Sequence, residues 1–135
     1  MPDNDRVYFN LGMLGMDDGD YDSAEGWFKR AIQLKPDFRS ALFNLALLLN
    51  EQKRPVEAVP FLQSLLGHFP DHVKGLILLG DINTNHVRDY ASAERCYRRI
   101  IEIDPGHVQG RNLNYQIRWN YLSNNWPLTN HIQPD

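Results

Sequence analysis

Apolar residues recur along this chain at steps of three and four, the spacing that lays one face of an α-helix against a core. Polar and turn-forming residues interrupt the pattern at regular intervals. The first block carries Tyr8, Leu11 and Gly12, then Ala24, Phe28, Ala31 and Pro36. The second carries Leu42, Leu45 and Ala46, then Ala58, Leu62, Leu65 and Pro70. The third carries Leu76, Leu79 and Gly80, then Ala93, Tyr97, Ile100 and Pro105. Pro36 to Pro70 is 34 positions, and Pro70 to Pro105 is 35. Each block predicts two helices whose small residues (Gly12, Ala46, Gly80 on the first; Ala24, Ala58, Ala93 on the second) let them approach closely. The proline closes the block, because it cannot continue a helix and pushes its predecessor toward extended backbone. The spacing predicts helices over 5–17, 21–34, 39–51, 55–67, 73–85, 89–103 and 107–123. Asp17-Asp18-Gly19-Asp20 supplies the first turn. Lys53-Arg54-Pro55 supplies the second, with Pro55 suited to a helix start. The extra residue of the third block falls within 83–89, where a longer loop is expected.

A period of about 34 residues with small residues at fixed places resembles the tetratricopeptide repeat, in which helical hairpins stack into a solenoid. The expected fold is all-α: three hairpins and a C-terminal capping helix. Residues 1–4 form an N-terminal extension, 5–38, 39–72 and 73–106 the three repeats, 107–123 the cap and 124–135 an irregular tail. About three units suffice to bury the shared apolar faces, so one cooperative domain is expected.

Composition narrows this further. The chain has 135 residues and a net charge of −3, which gives no field for nucleic acid or an anionic membrane. No apolar run approaches the ~20 residues of a membrane span. The opening residues, Met1 to Asp5, are polar and acidic, unlike a signal peptide. A single cysteine, Cys96, leaves no internal disulfide. From Arg111 onward Ala, Glu and Lys disappear while Asn recurs, and Trp119 and Trp126 fall there. The fourth block starts in register with Asn112 and Leu113 but has Asn114 where a small residue belongs.

Three strings are more specific: "ALFNLALLLNEQ" at 41–52, "HFPDHVKGLILLGDI" at 68–82 and "AERCYRRIIEIDPGHVQG" at 93–110. They resemble the repeat region of the transmembrane and tetratricopeptide-repeat-containing O-mannosyltransferases. In that family a multi-span membrane part carries glycosyl transfer, and the repeats face the endoplasmic reticulum lumen. The resemblance implies a non-catalytic segment of such a protein, lumenal if a fragment and cytoplasmic if a free-standing chain. After Gly110 the chain departs from the family, which continues with further repeats.

No constellation supports catalysis, a cofactor or a metal. His68 and His72 have the spacing of a helical metal pair, but Pro70 breaks the helix between them. Asp17, Asp18, Asp20 and Asp22 suggest a calcium loop, yet the later ligands are missing, and a solvated turn fits better. Arg95, Arg98 and Arg99 read as a solvated outer face. Cys96 has no His or Asp partner in reach and reads as an idle thiol.

Binding is the remaining function. The concave face of such a solenoid is made by the first helix of each hairpin. Its expected groove residues are Phe9, Asn10 and Met13, then Phe43, Asn44, Leu47 and Asn50, then Lys74, Ile77, Leu78, Asp81 and Thr84, then Arg111, Asn112, Tyr115 and Arg118. Phe9 and Phe43 could equally pack between neighbouring first helices. Chaperone-binding repeat proteins clamp a C-terminal carboxylate with basic residues. Asn44 and Lys74 stand at clamp positions here, but Phe9, Met13 and Leu78 fill the others, so a clamp is not expected. Asn10, Asn44 and Asn112 share one register position. They resemble the asparagine ladder of the O-GlcNAc transferases, whose amides grip a substrate backbone. The competing role for these asparagines is to bond neighbouring backbone and stabilise the stack. The expected function is a protein–protein interaction module that holds a polypeptide segment, with no nucleic acid and no membrane insertion. The alternative is an assembly piece that forms a homodimer through its C-terminal end.

Overall fold

The computed structural model describes residues 4–124, which form seven α-helices and one π-helical turn and contain no strand. The chain divides into two compact units, one ending at Pro70 and the other starting at Asp71.

The first unit holds α1 (Asp5–Asp17), α2 (Tyr21–Leu34), α3 (Arg39–Glu51) and α4 (Pro55–His68). Asn4 caps α1 by accepting from the amides of Arg6 and Val7. Asp20 caps α2 by accepting from the Ser23 amide. Pro55 stands in the first turn of α4, where its missing N–H costs nothing. Gly12 is buried against Phe28: a Cβ there would lie 2.6 Å from two carbons of that ring. Ala24, Phe28, Ala31, Ala41, Leu42, Leu45, Ala46, Leu48, Leu49, Ala58, Leu62 and Leu65 form the core. Arg54 ties α2 to the start of α4. It donates to Glu25 at 2.6 and 3.1 Å and to Glu57 at 2.8 and 2.7 Å. The Arg54 guanidinium holds the Glu25 carboxyl down to about 2, aided by Lys29 and opposed by burial.

The second unit holds α5 (Val73–Ile82), the π-helical turn Asn83–Val87, α6 (Tyr90–Ile103) and α7 (Val108–Asn124). The extra residue of the third block, expected in a longer loop, is taken up by this π turn, so α5 runs on through a widened last turn. Arg88 then stops it in the left-handed conformation, at φ 62°. Gly80 meets Tyr97 as Gly12 meets Phe28, with a notional Cβ 2.5 Å from the Tyr97 ring. The π turn therefore absorbs the insertion without moving the glycine from its ring.

α7 packs on α6, the position expected of a capping helix, and buries Ile117. It approaches tightly at Gly110, where a Cβ would fall 2.6 Å from Ile100 Cγ2. Asn114, at the register position of Gly12 and Gly80, has a buried Oδ1 with no hydrogen-bond partner among the described residues. The irregular tail expected beyond α7, with Trp126, lies outside the described residues.

Candidate functional site

Two sets of exposed and half-buried side chains on the first helices make up the candidate binding surface, one in each unit. In the first unit Asn10 is exposed and Met13 half-buried on α1, and Phe43, Asn44, Leu47 and Asn50 are half-buried on α3. Phe9 belongs more to the scaffold than to a free surface. Its ring lies 5.8 Å from that of Phe28 and 5.1 Å from that of Phe38, in a cluster with Ala31 and Ala41. Asn44 donates its amide to the Ser40 carbonyl one turn back in its own helix, at 2.8 Å. That bond joins no second helix; it fixes the side chain and leaves its carbonyl oxygen as an acceptor.

In the second unit Lys74 is exposed, and Ile77, Leu78, Asp81 and Thr84 are half-buried along α5 and its π turn. Arg111, Asn112, Tyr115 and Arg118 lie along α7, with Arg111 and Tyr115 joined by a hydrogen bond of 3.5 Å. The Tyr97 hydroxyl donates to Asp81 Oδ1 at 3.2 Å, and the Thr84 hydroxyl donates to the Gly80 carbonyl at 2.8 Å. Burial raises the Asp81 carboxyl above its ordinary range, while the Tyr97 hydroxyl pulls it back. A pocket of about 140 Å3 opens here, lined by Asp81, Thr84, Asn85, Tyr97, Leu113, Gln116 and Ile117. Helical register assigns Asp81 and Thr84 to the inner face but gives no sign of Tyr97, which comes from a second helix. A signal is present all the same: of the three second-helix residues at that place, Tyr97 alone carries a hydroxyl.

Several of the residues weighed for other chemistry have structural work. His72 caps α5, its Nδ1 accepting from the Gly75 amide at 2.9 Å, and His107 does the same for Gly110 at 2.9 Å. The repeated His-Val-x-Gly at 72–75 and 107–110 could have revealed these caps. Arg95 donates to Ser92 at 2.7 Å, Arg98 pairs with Glu94, and Arg99 pairs with Asp71 and Glu102. Cys96 is buried, and that burial pushes its thiol up to about 11, too high for a thiolate nucleophile. The first unit also carries an open hollow of about 390 Å3 beside the stacked rings of Tyr8 and Trp27, which the periodicity does not reveal. No helix of the described residues is long and apolar enough to cross a membrane.

Comparison with known proteins agrees with this arrangement. Residues 15–79 match the family model of the tetratricopeptide repeat. The chain is 64% identical over 107 residues to the protein O-mannosyl-transferase Tmtc3 of Drosophila melanogaster, covering 79% of this chain and 12% of that protein. It is 55% identical over 104 residues to TMTC3 of Homo sapiens, covering 77% of this chain and 11% of that protein. It therefore spans only about an eighth of the length of these relatives. Among solved structures it superposes on MamA with a TM-score of 0.79 at 19% identity, covering 91% of this chain and 65% of that one. The first TPR of Spaghetti (RPAP3), bound to an HSP90 peptide, gives 0.77 at 16% identity, covering 90% and 96%. YrrB, a TPR protein with an unusual peptide-binding site, gives 0.76 at 18% identity, covering 91% and 61%. The 34-residue spacing, the glycine-to-ring contacts and these similarities agree: the chain is built of tetratricopeptide repeats and is similar to a stretch of the TMTC3 protein O-mannosyl-transferases.

Proposed function

We propose that this chain binds an extended polypeptide segment along the first helices of its hairpins. In a longer protein of the O-mannosyl-transferase kind, it would present acceptor polypeptides to the glycosyl-transferring part from the endoplasmic reticulum lumen. The observation that carries the reading is the chemistry of α3. Phe43 and Leu47 offer half-exposed apolar area, and Asn44 and Asn50 stand beside them. Apolar contact with a few fixed polar groups is what a binding surface needs. An amide can pair with any peptide unit whatever its side chain, so low sequence specificity follows.

The test is Asn10→Ala with Asn44→Ala, read by anisotropy against a fluorescein-labelled, unstructured polypeptide. Asn10 is exposed and Asn44 bonds the Ser40 carbonyl of its own helix, so the melting temperature should hold while affinity falls about tenfold, as for the loss of one or two hydrogen bonds. Lost stability with unchanged affinity would assign both residues to the scaffold.

One observation favours self-association as a second reading. Val108, Tyr115, Trp119 and Leu122 are more than half exposed along α7. A monomer by light scattering at micromolar concentration would eliminate it.

A further inference from the structure

The pocket beside the π turn has an unusual distribution of protons. Two hydroxyl groups reach it, and each has one hydrogen to give. Thr84 gives its hydrogen to the Gly80 carbonyl at 2.8 Å. Tyr97 gives its hydrogen to Asp81 Oδ1 at 3.2 Å. The two hydroxyl oxygens also lie 3.3 Å apart, where either can donate to the other, so each hydrogen has acceptors within the cluster. Asp81 and the remaining lone pairs of Thr84 and Tyr97 therefore line one small space as acceptors, beside the side-chain amides of Asn85 and Gln116. Asp81 is the only charged residue among the described lining residues. Below them Leu113 and Ile117 supply an apolar wall. The carboxylate is half-buried, and its raised titration shows that burial outweighs the one hydrogen bond it receives. π turns inside helices are over-represented at functional sites. This one sets Thr84 and Asn85 beside the residue that precedes the turn by two positions, Asp81.

We propose that this pocket is a subsite for a lysine side chain of the bound polypeptide, whose ammonium is held by Asp81, Thr84 and Tyr97 while its methylenes lie on Leu113 and Ile117. An ammonium carries three donors and no acceptor, which matches these oxygens around one negative charge, and the Asn85 and Gln116 amides of the lining can each turn an oxygen toward it. A hydroxyl ligand has one donor and leaves the carboxylate's charge unmatched. A carboxylate ligand would be repelled. The space is too small for a stretch of backbone but takes the end of one long side chain. This reading rests on polypeptide binding as proposed above, and it names the residue such a segment would carry.

The test separates the two proposals by using a probe that needs no polypeptide. The full chain, 13C-labelled at Asp and Ile, is titrated with N-acetyl-lysine methylamide and with the same compound acetylated at Nε. The free amine should shift the Asp81 carboxyl and the Ile117 methyl resonances at millimolar concentration, and the acetylated compound should shift neither. Asp81→Asn keeps an oxygen for Tyr97 to donate to, so the fold should survive. It should weaken the free amine about tenfold or more, the scale of a lost charge-assisted bond. Equal shifts from both compounds, or free-amine shifts that persist unweakened in Asp81→Asn, would overturn the subsite. Absence of any shift with the free amine would do the same. If the lysine probe binds as expected but unstructured polypeptides do not, the subsite stands and the groove reading fails. If polypeptides bind equally well with lysine or norleucine at every position, the groove stands and the subsite fails.

Discussion

The hairpins α1–α2 and α5–α6 use one steric device with different chemistry around it. Gly12 faces the ring of Phe28 in the first, and Gly80 faces the ring of Tyr97 in the second. Where the second hairpin places Asp81 and Thr84 beside its glycine, the first places Met13 and Met16. A phenol buried against a helix needs an acceptor for its hydrogen, and the oxygens that serve Tyr97 are replaced in the first hairpin by apolar methionines beside an apolar ring. The contact that closes the hairpin is therefore independent of polarity, while the polarity is set by a coordinated change at three positions. At this contact the first hairpin only packs. The second is built to pack and to hold oxygen atoms at a pocket.

The sharpest way to break the shared device is to fill it. Gly80→Leu and Gly12→Leu should each cost about 3 kcal/mol through overpacking, read as the shift of the urea midpoint at constant slope. A Gly12→Leu chain that melts like the parent would mean that Phe28 can swing away, and the comparison would lose its basis.

Exchanging the rings tests the chemical difference. Phe28→Tyr should cost about 1–3 kcal/mol, because the new hydroxyl is buried with methionines in place of Asp81 and Thr84. Adding Met13→Asp and Met16→Thr should recover part of that loss. Tyr97→Phe should cost about 1 kcal/mol, since it removes one hydrogen bond and leaves Asp81 without its donor. If Phe28→Tyr proves the milder of the two in calorimetry, the assignment of polarity to these three positions is wrong.

The hairpins also differ in their ion pairs, and here pH discriminates. Glu25 titrates near 2 in the folded chain against an ordinary 4.5, chiefly because of its bond to Arg54. A lowered folded-state value adds stability that is complete above the unfolded value and disappears as pH falls from about 4.5 through about 2. Glu25→Gln should lower the melting temperature at neutral pH, by less than either ring substitution. It should also flatten the decline in stability across that acid window. A variant that keeps the parent's full acid slope would show that other carboxylates carry it.

The smallest effect concerns the turns. Gly19, Lys53 and Arg88 hold one register position and all are left-handed, at φ 76°, 63° and 62°. Only the first is the residue that adopts this conformation without steric cost. Lys53→Gly and Arg88→Gly should each gain about 0.5–1 kcal/mol, visible as a higher urea midpoint. A loss on Arg88→Gly alone would show that the arginine side chain supports the π turn.

The helices were legible in the sequence because burial on a helix imposes a 3.6-residue period and prolines end each block. The close approach of the paired helices at Gly12 and Gly80 was legible for the same reason, but the partner was not: Phe28 and Tyr97 read as filling the space between units, and packing sets their rings on the glycines of their own hairpins. The fate of the inserted residue was not. A chain can place an extra residue in a loop or wind it into a helix, and local sequence does not choose between them. The choice depends on keeping Gly80 against Tyr97, a contact between residues 17 positions apart. Nor could the 3.6-residue period reveal the histidine caps, because capping is made by single side chains at helix ends, where that period stops; only the repeated His-Val-x-Gly marks them. The pocket was only half legible: helical register assigned Asp81 and Thr84 to one face. Tyr97, Leu113 and Ile117 reach them from two other helices, and tertiary packing alone decides which side chains of separate helices share one space.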